Sequence, residues 1–140
     1  MSALRTDGAI VCFGEVLLRL SAPNAELLLQ TPRLDVVVGG AEANVAVSLA
    51  HLGHDAAMVS TLPDNPLGRA ARNELRRFGV DTSRIEFAPG RMGLYFLNPG
   101  AGGRASEVIY DRAASAFTAA DYTAADWCAL LNNAGWLHVS

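Results

Sequence analysis

Residues 39–53 read G-G-A-E-A-N-V-A-V-S-L-A-H-L-G, and the fold turns on how this stretch is read. The glycine pair Gly39 and Gly40 ends an apolar run. It hands over to a helical pattern at 41–52, in which Ala43, Ala46, Val47 and Ala50 make one small-residue face. Asn44, Ser48 and His51 line another face, and Gly53 stands where a helix takes a C-terminal glycine. Upstream, A-I-V-C-F at 9–13 is a continuous apolar run stopped by Gly14-Glu15, the pattern of a central parallel strand buried on both faces. Downstream, 56–62 reads as the next strand, closed by Pro63-Asp64-Asn65-Pro66. Leu67, Ala71, Leu75 and Phe78 then recur at helical spacing up to Gly79. Strand, helix, strand, helix defines an α/β protein with a parallel sheet.

Two segments break that alternation. Residues 16–20 and 35–38 read as short antiparallel strands, separated by the Pro23-Asn24 and Thr31-Pro32 breaks. Residues 94–97 and 107–112 read as a β-hairpin around the turn-rich N-P-G-A-G-G at 98–103. Thr123-Ala124-Ala125-Asp126 then resembles a helix start with an acid in its first turn, and Trp127, Leu130 and Leu131 supply the apolar face. W-L-H-V-S at 136–140 opens a further strand. An apolar strand with no turn or helix after it is a poor natural end, so the expectation is a chain cut inside its central sheet; a C-terminal edge strand also fits the pattern.

The 140 residues are 51% apolar, carry 11 basic against 14 acidic side chains, and include no lysine. Without lysine there is no P-loop amine, no Schiff base and no S-x-x-K pair. A net charge of −3 with no basic stripe argues against nucleic-acid or membrane-surface binding. The length suits one domain. Cys12 and Cys128 each lie in an apolar segment, so both are expected in the core as reduced thiols of an intracellular protein. Residues 1–8 are short and mixed, and Glu15 and Arg19 break the apolar stretch that follows. No leader or membrane span is expected, and a cytoplasmic location follows. His51, His54 and His138 show no metal-ligand spacing with the cysteines and there is no G-x-S-x-G, so neither a metal site nor a hydrolase is expected.

The densest chemical signal is Gly39-Gly40 followed by Asn44. Paired glycines let backbone approach a ligand, helix N-terminal N–H groups point at its oxygens, and an amide offers donor and acceptor together. Such a site suits a polyol. A tight strand-to-helix turn with Asn44 capping or solvated fits the same residues equally well.

G-G-A-E-A-N-V-A-V-S-L-A-H-L-G, with A-A-M-V-S-T-L, P-D-N-P-L-G and R-R-F-G-V-D-T after it, resembles the N-terminal signature of the ribokinase-like (PfkB) carbohydrate kinases from about residue 10 to 140. Within that family, G-E-V-L-L-R-L-S at 14–21, G-L-Y-F at 93–96 and V-I-Y-D-R at 108–112 are most similar to 2-keto-3-deoxygluconate kinases. The resemblance implies a ribokinase-like α/β/α sandwich with a small β-sheet lid. The lid strands would lie at about 16–38 and 94–112 and the core at about 9–15, 39–90 and 118–140. Residues 1–140 would then be the N-terminal part of a single kinase domain. It implies sugar-binding roles for Gly39, Gly40, Asn44, Tyr95, Tyr110 and Arg112. Independently, residues two apart on a strand face one side, so Tyr110 and Arg112 project together and Tyr95 on the paired strand can face them. A guanidinium meets a carboxylate with two parallel hydrogen bonds, which favours a sugar acid over a neutral sugar. The plainer possibility pairs Arg112 with Asp111, Glu107 or solvent and leaves the tyrosines covering the core.

The activity implied is ATP-dependent phosphorylation of 2-keto-3-deoxygluconate at a primary hydroxyl, this chain supplying the sugar-binding half. ATP and Mg²⁺ would serve the complete enzyme, with no contact assignable to a residue here. The family's catalytic aspartate, in a G-A-G-D-type motif, is expected beyond Ser140; Gly100-Ala101-Gly102-Gly103 departs from that motif at Gly103 and reads as a loop. Arg19 stands where neutral-sugar members often carry an acid, which leaves that end of the pocket open, and Ser21 is a weaker candidate there. The alternatives are a fructokinase-like or ribokinase-like neutral-sugar kinase, or a non-catalytic module that binds a sugar or a partner. The exposed apolar residues expected at 36–38 also suggest a homodimer through the lid strands.

Overall fold

Strand β1 (Ala9–Phe13) lies inside a parallel sheet, paired with β4 (Ala56–Pro63) on one side and β8 (Ala134–His138) on the other. With β5 (Ile85–Ala88) beyond β4, the order is β5-β4-β1-β8. The computed structural model describes residues 7–140, so most of the 1–8 stretch discussed above lies outside the described residues. The apolar run of β1 and the continuous burial of β4, Ser60 and Thr61 included, are explained by helices on both faces. On one face Cys12, Met58 and Leu62 pack with Ala43 and Ala46 of α1 (Ala41–His51) and with Ala71 and Leu75 of α2 (Pro66–Arg77). On the other, Val11, Ala57 and Val59 pack with Trp127, Leu130 and Leu131, and Phe13 meets the rings of Phe117, Tyr122 and Trp127 at 5.7, 4.8 and 5.0 Å. The result is the expected α/β/α sandwich.

In α2 the buried face is Gly68, Ala71 and Leu75, while Leu67, read above as part of that face, is 54% exposed. The Asn65 side chain accepts from the Gly68 N–H and sets the rotation of the first turn. Gly68 then sits so close to the sheet that a Cβ there would come within 2.0 Å of the Pro63 carbonyl oxygen.

The second sheet contains β2 (Leu17–Ser21), β3 (Asp35–Gly39), β6 (Gly93–Asn98) and β7 (Glu107–Asp111) in the order β3-β2-β6-β7. β2–β3 and β6–β7 are antiparallel as expected, but β2 and β6 run parallel. β2 leaves the end of β1 and β6 leaves the end of β5, and because those two core strands run the same way, so do their continuations. Leu18, Leu20, Val38 and Leu94 pack one face of this lid onto the α1–α2 core.

Three local expectations are corrected. Asp126 is itself the N-cap of the one-turn helix α4 (Trp127–Leu130), accepting from Ala129 N–H, and the preceding residues form a turn in which Asp121 accepts from Thr123. The last strand begins at Ala134, not 136. Cys12 is buried but Cys128 is exposed, because α4 turns Trp127, Leu130 and Leu131 toward the sheet and leaves Cys128 facing outward. No helix among the described residues is long and apolar enough to cross a membrane.

Burial, and secondarily the Glu42 carboxylate, push the Cys12 thiol up to about 11. A maleimide should therefore label native protein at Cys128 alone, with Cys12 reacting only in denaturant. Equal native labelling of both, read by peptide mass, would contradict this burial.

Candidate functional site

The site lies where the lid joins the core sheet. β3 ends at Gly39 and β6 begins at Gly93, and both are register partners of Leu17, so the two glycines flank it. A Cβ on Gly39 would lie 3.1 Å from the Tyr95 Oη, which places this backbone against the phenol. Gly40 has φ +123°, and a Cβ there would come within 2.4 Å of the Glu15 carbonyl oxygen, so glycine is required on both counts. The chain then enters α1. Asn44 donates its backbone N–H to Gly40 O at 2.9 Å, and its side chain is exposed with no partner among the described residues. Gly40 is the N-cap and has no side chain, so Asn44 is solvated, not capping.

Tyr95 and Tyr110 are register partners across β6 and β7, with ring centroids 5.9 Å apart. The Arg112 guanidinium carbon lies 5.7 Å from the centroid of the Tyr110 ring. Gly39, Tyr95, Tyr110 and Arg112 thus form one continuous row on the outer face of the lid, while Gly40 and Asn44 lie at the start of α1 that follows Gly39. The face is open, with Tyr110 63% exposed. Arg19 is in register with Tyr95 and shares that face, and its Nε is buried without a hydrogen-bond partner among the described residues. Ser21 pairs with Asp35 and Leu97, one residue pair further from the glycines. Gly100-Ala101-Gly102-Gly103 is a turn, as read, closed by the reciprocal Ala101–Arg104 backbone bonds.

The partner of Arg112 is the residue that sequence reasoning missed. Asp111 is occupied by Arg91 in a two-bond pair of 2.8 and 2.7 Å, whose guanidinium holds the Asp111 carboxyl below the usual range. Glu107 sits at the far end of β7, opposite Asn98. Arg112 Nε instead donates to Glu15 Oε2 at 2.7 Å. The Glu15 side chain is 2% exposed, and its Oε1 accepts from the Ser115 hydroxyl at 2.6 Å. Ser115 is in turn the N-cap of the short helix α3 (Ala116–Ala119), accepting from Thr118 N–H. The available signal was a charged residue directly after a buried strand. Nothing in the spacing pointed from it to Arg112.

Among the described residues no group of three or more His, Cys, Asp or Glu could hold a metal ion.

A central parallel sheet between helices, carrying a lid whose outer face presents glycines, phenols and a guanidinium, is a ribokinase-like α/β fold. Residues 7–140 match the pfkB family of carbohydrate kinases, and the chain belongs to that family. It is 43% identical to the 2-dehydro-3-deoxygalactonokinase of Haloferax volcanii over 111 residues, 79% of this chain and 35% of that protein. It is 35% identical to the probable fructokinase-3 of Arabidopsis thaliana over 111 residues, 78% of this chain and 32% of that protein. The crystal structure of 2-dehydro-3-deoxygluconokinase from Thermotoga maritima matches with a TM-score of 0.89 at 50% identity, over 94% of this chain and 40% of that one. The chain spans about a third of the length of these curated relatives.

Gly93 makes room for the buried carboxylate, since a Cβ there would lie 2.2 Å from Glu15 Oε1 and 2.6 Å from Leu17 Cδ2. Gly93→Ala should lower the unfolding free energy by about 1–3 kcal/mol, seen as a lower urea midpoint. An unchanged midpoint would mean that Glu15 is free to move aside.

Proposed function

We propose that this chain supplies the sugar-binding half of a carbohydrate kinase that phosphorylates 2-keto-3-deoxygluconate at its primary hydroxyl, with ATP as phosphoryl donor. The observation that carries this reading is Arg112. Its Nε is engaged by Glu15, its side chain is 45% exposed, and Nη1 and Nη2 have no hydrogen-bond partner among the described residues. A sugar carboxylate fits that fork with two charge-assisted hydrogen bonds. Tyr95 and Tyr110 offer phenol hydroxyls beside it, and Asn44 and the backbone at Gly39 and Gly40 suit the sugar's hydroxyl groups. A ligand anchored by its carboxylate has its distant primary hydroxyl fixed in space, which is the positional requirement of phosphoryl transfer.

The aspartate that accepts the hydroxyl proton and the ATP contacts are assigned beyond Ser140, and none of the described residues takes either role. Mg²⁺ belongs to the complete enzyme in this reading, and no group of three or more His, Cys, Asp or Glu among the described residues could hold it. Residues 1–140 are then the N-terminal part of one kinase domain, with lid strands at about 16–38 and 94–112 and core at about 9–15, 39–90 and 118–140. A cytoplasmic setting accords with an ATP-dependent reaction.

The similarity to a plant fructokinase favours a second reading, a neutral-sugar kinase. The two diverge at Arg112. Arg112→Met in the complete protein should weaken 2-keto-3-deoxygluconate by about tenfold to a hundredfold and fructose by little. Equal losses for both sugars would remove the carboxylate assignment.

A homodimer through the lid belongs to the same reading. β3 is an edge strand with Val36 59% and Val37 43% exposed, whereas Val38, grouped with them above, packs inward on the core. Sedimentation should show a dimer that Val36→Asp dissociates; a wild-type monomer, or a dimer indifferent to the substitution, overturns it.

A further inference from the structure

We infer that Glu15 is the positioning residue for Arg112, setting which edge of the guanidinium is presented to the ligand. The inference rests on the sugar-acid reading above. Glu15 is immobilised from several directions. Its carboxylate bonds the Ser115 hydroxyl at 2.6 Å, its Oε1 occupies the space a Gly93 side chain would need, and its own carbonyl lies in the gap left by Gly40. Arg112 is half in solvent and long enough to adopt many rotamers. The fixed partner therefore orients the mobile one.

A guanidinium offers carboxylates two kinds of edge, one formed by Nε with an Nη and one by the two Nη groups. Glu15 takes Nε at 2.7 Å, and the Tyr110 ring lies 5.7 Å from the guanidinium carbon. That leaves the Nη1–Nη2 edge, which has no hydrogen-bond partner among the described residues, for a two-bond contact. Without Glu15 that edge would have to be ordered by the ligand itself, at the expense of affinity. Arg112 touches the ligand; Glu15 acts only through Arg112.

The test uses the complete protein and compares Glu15→Leu, Glu15→Gln, Glu15→Asp and Arg112→Met, with the Glu15→Leu/Arg112→Met double variant. KM and kcat are measured for 2-keto-3-deoxygluconate and for fructose. Glu15→Leu should raise KM for the sugar acid about tenfold to a hundredfold, with a smaller change in kcat and little change for fructose. Glu15→Gln, whose amide oxygen can accept the same Nε–H, should stay within about threefold of wild type. In the Arg112→Met background Glu15→Leu should add nothing. Should Glu15→Leu fail to fold, Glu15→Asp carries the test, because one methylene less withdraws the carboxylate from Arg112 and should raise KM for the sugar acid likewise. A Glu15→Leu loss that persists without Arg112, or that falls equally on fructose, overturns the inference in favour of a role in the fold. Wild-type affinity in Glu15→Leu, with Arg112→Met impaired, overturns the inference alone. An Arg112→Met protein with unchanged sugar-acid affinity overturns the carboxylate reading and this inference with it.

Discussion

A carboxylate withdrawn from water at the end of a central strand has to be met by donors, and the joint between sheet and lid is organised around that requirement. Glu15 directly follows the Gly14 that ends β1, and its side chain is 2% exposed. Leaving a buried carboxylate without donors is costly, so the half-exposed Arg112 and the buried Ser115 hydroxyl are needed where they are. Arg112 brings the end of β7 to the sheet, and Ser115 brings the start of α3. Gly93 and Gly40 are glycines because Glu15 fills the space beside the first and its backbone crowds the second. One buried acid thus constrains three distant stretches of the chain, around Gly40, Gly93 and Arg112–Ser115.

The two sheets differ in how their faces are covered. The parallel sheet is covered by α1 and α2 on one face and by aromatic and aliphatic side chains on the other, which gives a rigid base. The lid uses one face, Leu18, Leu20, Val38 and Leu94, to hold onto that base. Its opposite face carries Arg19, Tyr95 and Tyr110, side chains with both an apolar body and a polar end. Alternation along a strand makes this possible, because anchoring and outward-facing residues need only be one position apart.

Much of this was legible from the chain. The apolar run of β1 and the alanine face of α1 carry their own periodicity, and Gly39-Gly40 stands at the strand-to-helix turn that the pattern marks. The Tyr95–Tyr110 pairing followed from a hairpin and a strand period of two. The parallel pairing of β2 with β6 was not legible, since it links residues more than seventy positions apart that share no local pattern. Leu67 and Cys128 were misplaced for a related reason. An apolar neighbourhood in sequence does not reveal the rotation of a short helix, and caps such as Asn65 and Asp126 decide that rotation.

By itself the sequence determined the α/β class, the interruption by lid strands and the pairing of Tyr95 with Tyr110 on one lid face, because each is written in local periodicity. Only the tertiary structure decided what Arg112 is bound to. Local charge offered Asp111 and Glu107, but Arg91 holds the first and the second is at the other end of its strand. The partner is an acid 97 residues away that chain folding brings within 2.7 Å. Ion pairing depends on distance in space and on exclusion of water, and neither is a property of position along the chain.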